Sequence, residues 1–93
     1  MWARIQEVSF PSFLTEAVIA HVRDTAVMRN DGAGFLGFRL LVDRPNGRAL
    51  EVSYWVSEEA ALAAAAREVG AAADLPGGTI LRTDFYEVSV DAG

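Results

Sequence analysis

The sequence predicts a small α+β domain of order β-α-β-β-α-β. Three observations carry that reading. Segments 12–29 and 58 onward place apolar residues at helical spacing. Segments 2–9, 35–43, 49–56 and 79–90 read as short strands of mixed polar and apolar residues set off by turn segments. The middle two of these are joined directly by Arg44-Pro45-Asn46-Gly47, a hairpin turn.

Taken in order, 2–9 is the first strand and stops before Phe10-Pro11-Ser12. Ser12 is a candidate N-cap for a helix over 12–29. At roughly 100° per residue, Phe13, Leu14, Ala17, Val18, Thr25 and Met28 share one face of it, with His21 near the middle. Asn30-Asp31-Gly32 stops that helix. In the turn, Pro45 suits the first central position, Asn46 the next and Gly47 the left-handed bulge position. This predicts a register in which Arg44 faces Arg48. One hairpin face then carries Leu36, Phe38, Leu40, Val42, Leu50, Val52, Tyr54 and Val56. The other pairs Leu41 with Glu51, Arg39 with Ser53 and Gly37 with Trp55. Ser57 caps the second helix, Glu58 and Glu59 favour its positive end, and Leu62, Ala66, Val69 and Ala73 form its apolar stripe, with Gly70 a point where it ends early or frays. Leu75-Pro76-Gly77-Gly78 turns the chain into the last strand.

Two helices and four strands in this order fit the ferredoxin-like split β-α-β arrangement, with an antiparallel four-stranded sheet. Two helices cover one face of such a sheet. The other face is left open, and eight apolar side chains in water exceed the exposed patch a monomer usually tolerates. Face-to-face association with a second copy is therefore expected.

Length and composition bound the rest. The chain's 93 residues make one domain, 1–93, with a thin core that shared burial would support. Hydrophobic residues at 52% against 23% charged mark a folded chain rather than a disordered one. A net charge of −5, with eight scattered arginines and no lysine, argues against nucleic-acid binding. Without cysteine, and with His21 as the only histidine, neither thiolate chemistry nor a His/Cys zinc site is expected. The N-terminus lacks the apolar run of a signal peptide, and no stretch nears the ~20 apolar residues of a membrane span. The expected compartment is the cytoplasm.

Gly32-Ala33-Gly34-Phe35-Leu36-Gly37 matches G-x-G-x-x-G, but here a helix precedes and a strand follows. The dinucleotide fingerprint needs the reverse, so no nucleotide cofactor is expected and the glycines more simply stop a helix and leave room beside Trp55. His21 reads either as a partly buried histidine satisfied by a neighbour or as a proton acceptor facing a pocket. Arg39, Glu51 and Ser53 read either as a rim with an Arg39–Glu51 ion pair or as the polar wall of a ligand cavity that Trp55 lines.

Gly34-Phe35-Leu36-Gly37-Phe38-Arg39-Leu40-Leu41-Val42-Asp43 and Tyr54-Trp55-Val56-Ser57-Glu58-Glu59-Ala60 resemble the antibiotic-biosynthesis monooxygenase family. Ala3-Arg4-Ile5 and Phe85-Tyr86-Glu87-Val88 suit its short members, so the resemblance covers nearly the whole chain. It implies a dimeric α/β barrel, with a pocket in each subunit between sheet and helices and Trp55 lining it. It further implies a cofactor-independent monooxygenase, or a related proton-transfer enzyme, acting on a small aromatic or quinol-like molecule. In that role His21 or Glu51 is the base, Arg4 or Arg39 steadies the anion, and Ser53 and Trp55 bind substrate. The alternative is a dimeric binding or accessory module of the same fold without chemistry. Haem-degrading relatives carry an axial histidine on the second helix, absent here, and an asparagine on the first strand near the position of Arg4. Quinone-forming relatives carry an asparagine four residues before the tryptophan, where this chain has Glu51.

Overall fold

Trp2–Ser9 forms β1, Ser12–Leu14 a 3-10 turn, Thr15–Arg29 α1, Phe35–Asp43 β2, Arg48–Trp55 β3, Glu58–Arg67 α2 and Thr79–Glu87 β4. The computed structural model describes the backbone of residues 1–29, 32–67 and 75–93, and the side chains of all of these except 26–29 and 67. The strands form one antiparallel sheet in the order β2-β3-β1-β4. Helix α2 contacts β1, β3 and β4, and α1 contacts β2. This is the ferredoxin-like α+β fold that the element order predicts. Among the described residues no helix is long and apolar enough to cross a membrane.

Ser57 caps α2, its Oγ accepting the Ala60 amide at 3.1 Å. Ser12 does not cap α1. It opens the 3-10 turn, and the Thr15 hydroxyl donates to its carbonyl at 2.6 Å. That turn changes the phase of the helix. A 3-10 segment winds about three residues per turn, so counting at the α-helical angle from Phe13 drifts out of phase after it, although Val18 stays inward. Phe13 is 84% exposed and Ala17 is exposed, while Val18 and Val22 are buried. The inward stripe therefore centres on Val18 and Val22, and His21 falls on its flank, half-buried. On α2 the inward positions are Ala61 and Ala64, whereas Leu62 and Ala66 face outward. Asn30, Asp31, Val69, Gly70 and Ala73, to which the sequence assigns helix stops and stripe positions, lie outside the described residues, as does the Met28 side chain.

The hairpin register differs from the expected one by a residue. Asp43 pairs with Arg48, Val42 with Ala49, Leu41 with Leu50, Leu40 with Glu51, Arg39 with Val52 and Phe38 with Ser53. A bulge between Phe35 and Gly37 then sets Gly37 opposite Tyr54 and Phe35 opposite Trp55. The turn is one residue longer than expected because it is tied to a distant strand end. The Phe10 amide donates to the Gly47 carbonyl at 2.9 Å. Asn46 donates to the Asp43 carboxylate at 2.9 Å.

The slip re-sorts the faces. Phe38, Leu40 and Val42 lie against Val8, Phe10, Val18, Val22, Ala49 and Leu75 under the helices. Leu50, Val52 and Tyr54 pair with Leu41, Arg39 and Gly37 on the open face. The expected uniform apolar face thus does not form, and Arg39 and Glu51, on opposite faces, are not an ion pair. Gly37 does not make room for Trp55 either, since a Cβ there would meet nothing within 4 Å.

Gly47 has φ +61°, and a Cβ there would lie 2.2 Å from the Phe10 carbonyl oxygen. Gly47→Ala is expected to lower stability by roughly 2 kcal/mol or more, from left-handed strain plus the clash. A urea titration against Gly37→Ala checks this. Equal midpoints for the two variants would show that the Phe10–Gly47 junction contributes nothing.

Candidate functional site

Directly opposed residues in antiparallel strands point to one side, so the helix-facing surface is a grid of four rows. Its first row is Val42, Ala49, Val8 and Ile80, wholly apolar. The second is Leu40, Glu51, Gln6 and Thr83. The third is Phe38, Ser53, Arg4 and Phe85, and the fourth Phe35, Trp55, Trp2 and Glu87. On the two central strands, the middle rows therefore hold four polar side chains: Arg4, Gln6, Glu51 and Ser53. All four are buried, at 7%, 7%, 4% and 4% exposure. Burying such groups is costly unless each is satisfied, and several of them converging beneath two helices is the usual polar component of a ligand site.

The site's internal hydrogen bonds are specific. The Trp55 indole N–H donates to Ser53 Oγ at 2.9 Å, with both side chains buried. Gln6 Nε2 donates to the Thr83 hydroxyl at 3.3 Å, tying β1 to β4. Trp55 is fully buried, edge-on to Phe35 at 5.4 Å, and packed by Ala60, Ala61, Ala64 and Phe85. The small α2 residues let the helix approach the indole closely. Arg4 and Glu51 stand on adjacent strands in neighbouring rows, a diagonal relation that long side chains span.

Beside the polar rows lies an apolar recess of about 420 Å³ between α1 and β2. Ile19, Val22, Phe38, Leu40 and Val42 form its walls and Arg23 its one charged element. Leu40 is paired with Glu51 and Phe38 with Ser53, so the inner wall of the recess adjoins the buried polar side chains.

Of the residues singled out from sequence, Arg4, Glu51, Ser53 and Trp55 share this surface. His21 does not line the recess. It sits, half-buried, on the α1 flank opposite Ile19 and Arg23. Arg39 lies on the open face, its guanidinium 5.6 Å from the Tyr54 ring centre. Gln6 and Arg23 were not singled out from sequence. Gln6 had a weak signal, as a polar residue at the inward-alternating position between Arg4 and Val8. Arg23 had none until the recess existed. Among the described residues no group of three His, Cys, Asp or Glu side chains is placed to hold a metal ion.

No protein-family model matches the chain, and no curated protein matches it. Solved structures do. A haem-degrading protein of Mycobacterium tuberculosis, MhuD, with two haems bound in its active site, superposes with a TM-score of 0.82 at 26% identity, covering 100% of both chains. SnoaB of Streptomyces nogalater, a cofactor-independent oxygenase, gives 0.68 at 17% identity, over 97% of this chain and 94% of that one. A candidate antibiotic biosynthesis monooxygenase of Nitrosomonas europaea gives 0.68 at 17% identity, over 97% and 100%.

Proposed function

For a chain with the fold of the antibiotic-biosynthesis monooxygenase-like proteins, we propose a cofactor-independent oxygenase of a planar aromatic or quinol-type compound bound under α1. The observation that carries this is the juxtaposition of the apolar recess with the buried Glu51, Arg4, Gln6 and Ser53. The recess holds the rings, and the polar rows meet the reacting edge. Glu51 takes the proton from the substrate, and Arg4 stabilises the resulting anion, which itself reduces oxygen. For an anthrone the balance is a ring CH₂ plus O₂ giving a ring C=O plus water. The burial of Glu51 and Arg4 beside the recess supports Glu51 over His21 as the base and Arg4 over Arg39 as the anion partner.

The test is oxygen uptake with 1,8-dihydroxyanthrone, followed by the absorbance of the anthraquinone product. Glu51→Gln should slow turnover by about 10²–10⁴-fold, the usual contribution of a positioned base. His21→Gln should leave it within a factor of a few. The opposite ranking would move the base to His21. No uptake with metal-free protein, but ligand-induced thermal stabilisation, would favour a binding module instead, a reading that the fully buried Trp55 supports. MhuD's likeness makes haem a second candidate substrate. A haem absorbance shift that His21→Ala removes would favour it, since His21 is the chain's one imidazole.

The open face supports association with a second copy. Its central strands carry Leu50, Val52, Tyr54, Ala3 and Ile5, with Glu7 at one end, while Arg39, Arg82 and Asp84 stand on the edge strands. Arg82 Nε lies 2.8 Å from Asp84 Oδ2, an ion pair whose angle falls short of a hydrogen bond. An apolar centre with a charged rim is the composition of a protein interface.

A further inference from the structure

We infer that Arg23 makes the recess selective for aromatic ligands carrying a carboxylate or comparable anionic group, an inference that rests on the recess being the ligand site. Six arginine side chains are described, and five of them are engaged. Arg44 pairs with Glu16, Arg48 lies 3.9 Å from Glu7, and Arg82 lies 2.8 Å from Asp84. Arg39 covers the Tyr54 ring, and Arg4 is held within the site. Arg23 alone has no ion pair, hydrogen bond or ring contact among the described residues.

Its sequence neighbours explain why. On a helix the partners within reach are three and four residues away. For Arg23 these are Ile19, Ala20, Ala26 and Val27, none of them acidic. The adjacent Asp24 projects about 100° away around the helix and forms no ion pair with Arg23 among the described residues. Arg23 stands at the recess, one helical turn from Ile19, which lines the same wall. The apolar walls offer the ring system a surface to pack on, while an exposed guanidinium keeps its five donors for a planar oxyanion. A ligand with its rings against Phe38 and Leu40 and its carboxylate outward meets both. Its opposite edge then points towards Glu51 and Ser53, so the anionic end also orients the reacting end.

The test uses the full chain and two tricyclic probes of equal shape, anthraquinone-2-carboxylate and anthraquinone-2-carboxamide. Binding is followed by tryptophan fluorescence or calorimetry. Because Arg23 is exposed, the carboxylate should bind about fivefold more tightly than the amide, with the advantage shrinking as salt is added. Arg23→Gln should abolish the preference without changing the amide's affinity, Arg23→Lys should keep part of it, and Arg39→Gln should leave it intact. Equal affinity of the two probes for the wild type would overturn the role of Arg23 and leave the recess standing. So would a preference that survives Arg23→Gln or disappears with Arg39→Gln. Failure of both probes to bind would overturn the recess as the ligand site, and this inference with it.

Discussion

Val52→Asp is expected to sediment as a monomer at micromolar concentration, where the proposed open-face association predicts a dimer for the wild type. Val52 sits at the middle of the open face, between Ile5 on β1 and Arg39 on β2. A second copy packing there by a twofold axis would cover Ile5, Leu50 and Tyr54, which are half-buried, around a valine that the single chain already buries. The substitution sets two carboxylates near each other at the centre of that face without partners. An uncompensated buried charge costs about 3–5 kcal/mol, so dissociation should rise by about three orders of magnitude. Val52 is only 6% exposed within the chain itself. The same change therefore strains the monomer, and a second variant separates the effects. Leu41, on the same face, is 51% exposed, so Leu41→Glu costs the single chain little. Sedimentation velocity of both variants gives the answer. A wild type that sediments as a monomer, or a Leu41→Glu protein as tightly associated as the wild type, would remove the open face as the interface. Leu40→Arg is expected to act differently. Leu40 lies under the helices, so a charge there should obstruct the recess and the core rather than the dimer.

The second large effect is at Trp55. Trp55→Ala is expected to destabilise the fold by about 3–5 kcal/mol, the cost of emptying a fully buried aromatic site. The cavity would open beneath Ala61 and Ala64, whose side chains are too small to collapse into it. Ser53→Ala should cost about 1–3 kcal/mol, because it leaves the indole N–H buried without its acceptor. Trp55→Phe tests that cause. In the Ser53→Ala background the indole donor is already orphaned, so Trp55→Phe should cost less there than in the wild type. Denaturation midpoints of the two single variants and the double variant form the cycle. Strict additivity would mean that the 2.9 Å hydrogen bond contributes nothing to stability.

The structure's element order and most element boundaries follow from local chemistry. β1 and β2 occupy the segments expected from composition, the Ser57 cap forms, and Gly47 takes its left-handed conformation. Each depends on a few neighbouring residues, which is the information a sequence holds most directly. Trp55, Ser53 and Glu51 fall together on one face because alternation along a strand is local too.

What the sequence alone did not decide was every relation between elements. Leu40-Leu41-Val42 is apolar at consecutive positions, so either hairpin register offers grease to the helices, and alternation cannot choose between them. The choice was made by the Phe10–Gly47 hydrogen bond and by the bulge at Leu36, the one spanning much of the chain and the other set by packing at Trp55. That single residue of slip carried Arg39 away from Glu51 and brought Phe38 and Leu40 to the recess under α1. The 3-10 turn did the same to α1, rotating His21 off the centre of the buried stripe. On α2, a run of alanines has no strongly preferred face, and the Trp55 indole selected Ala61 and Ala64. Composition and spacing determined the parts and their order; only the tertiary contacts decided which side chains share a surface, because rotating or sliding an element by one residue changes no local preference and every neighbour.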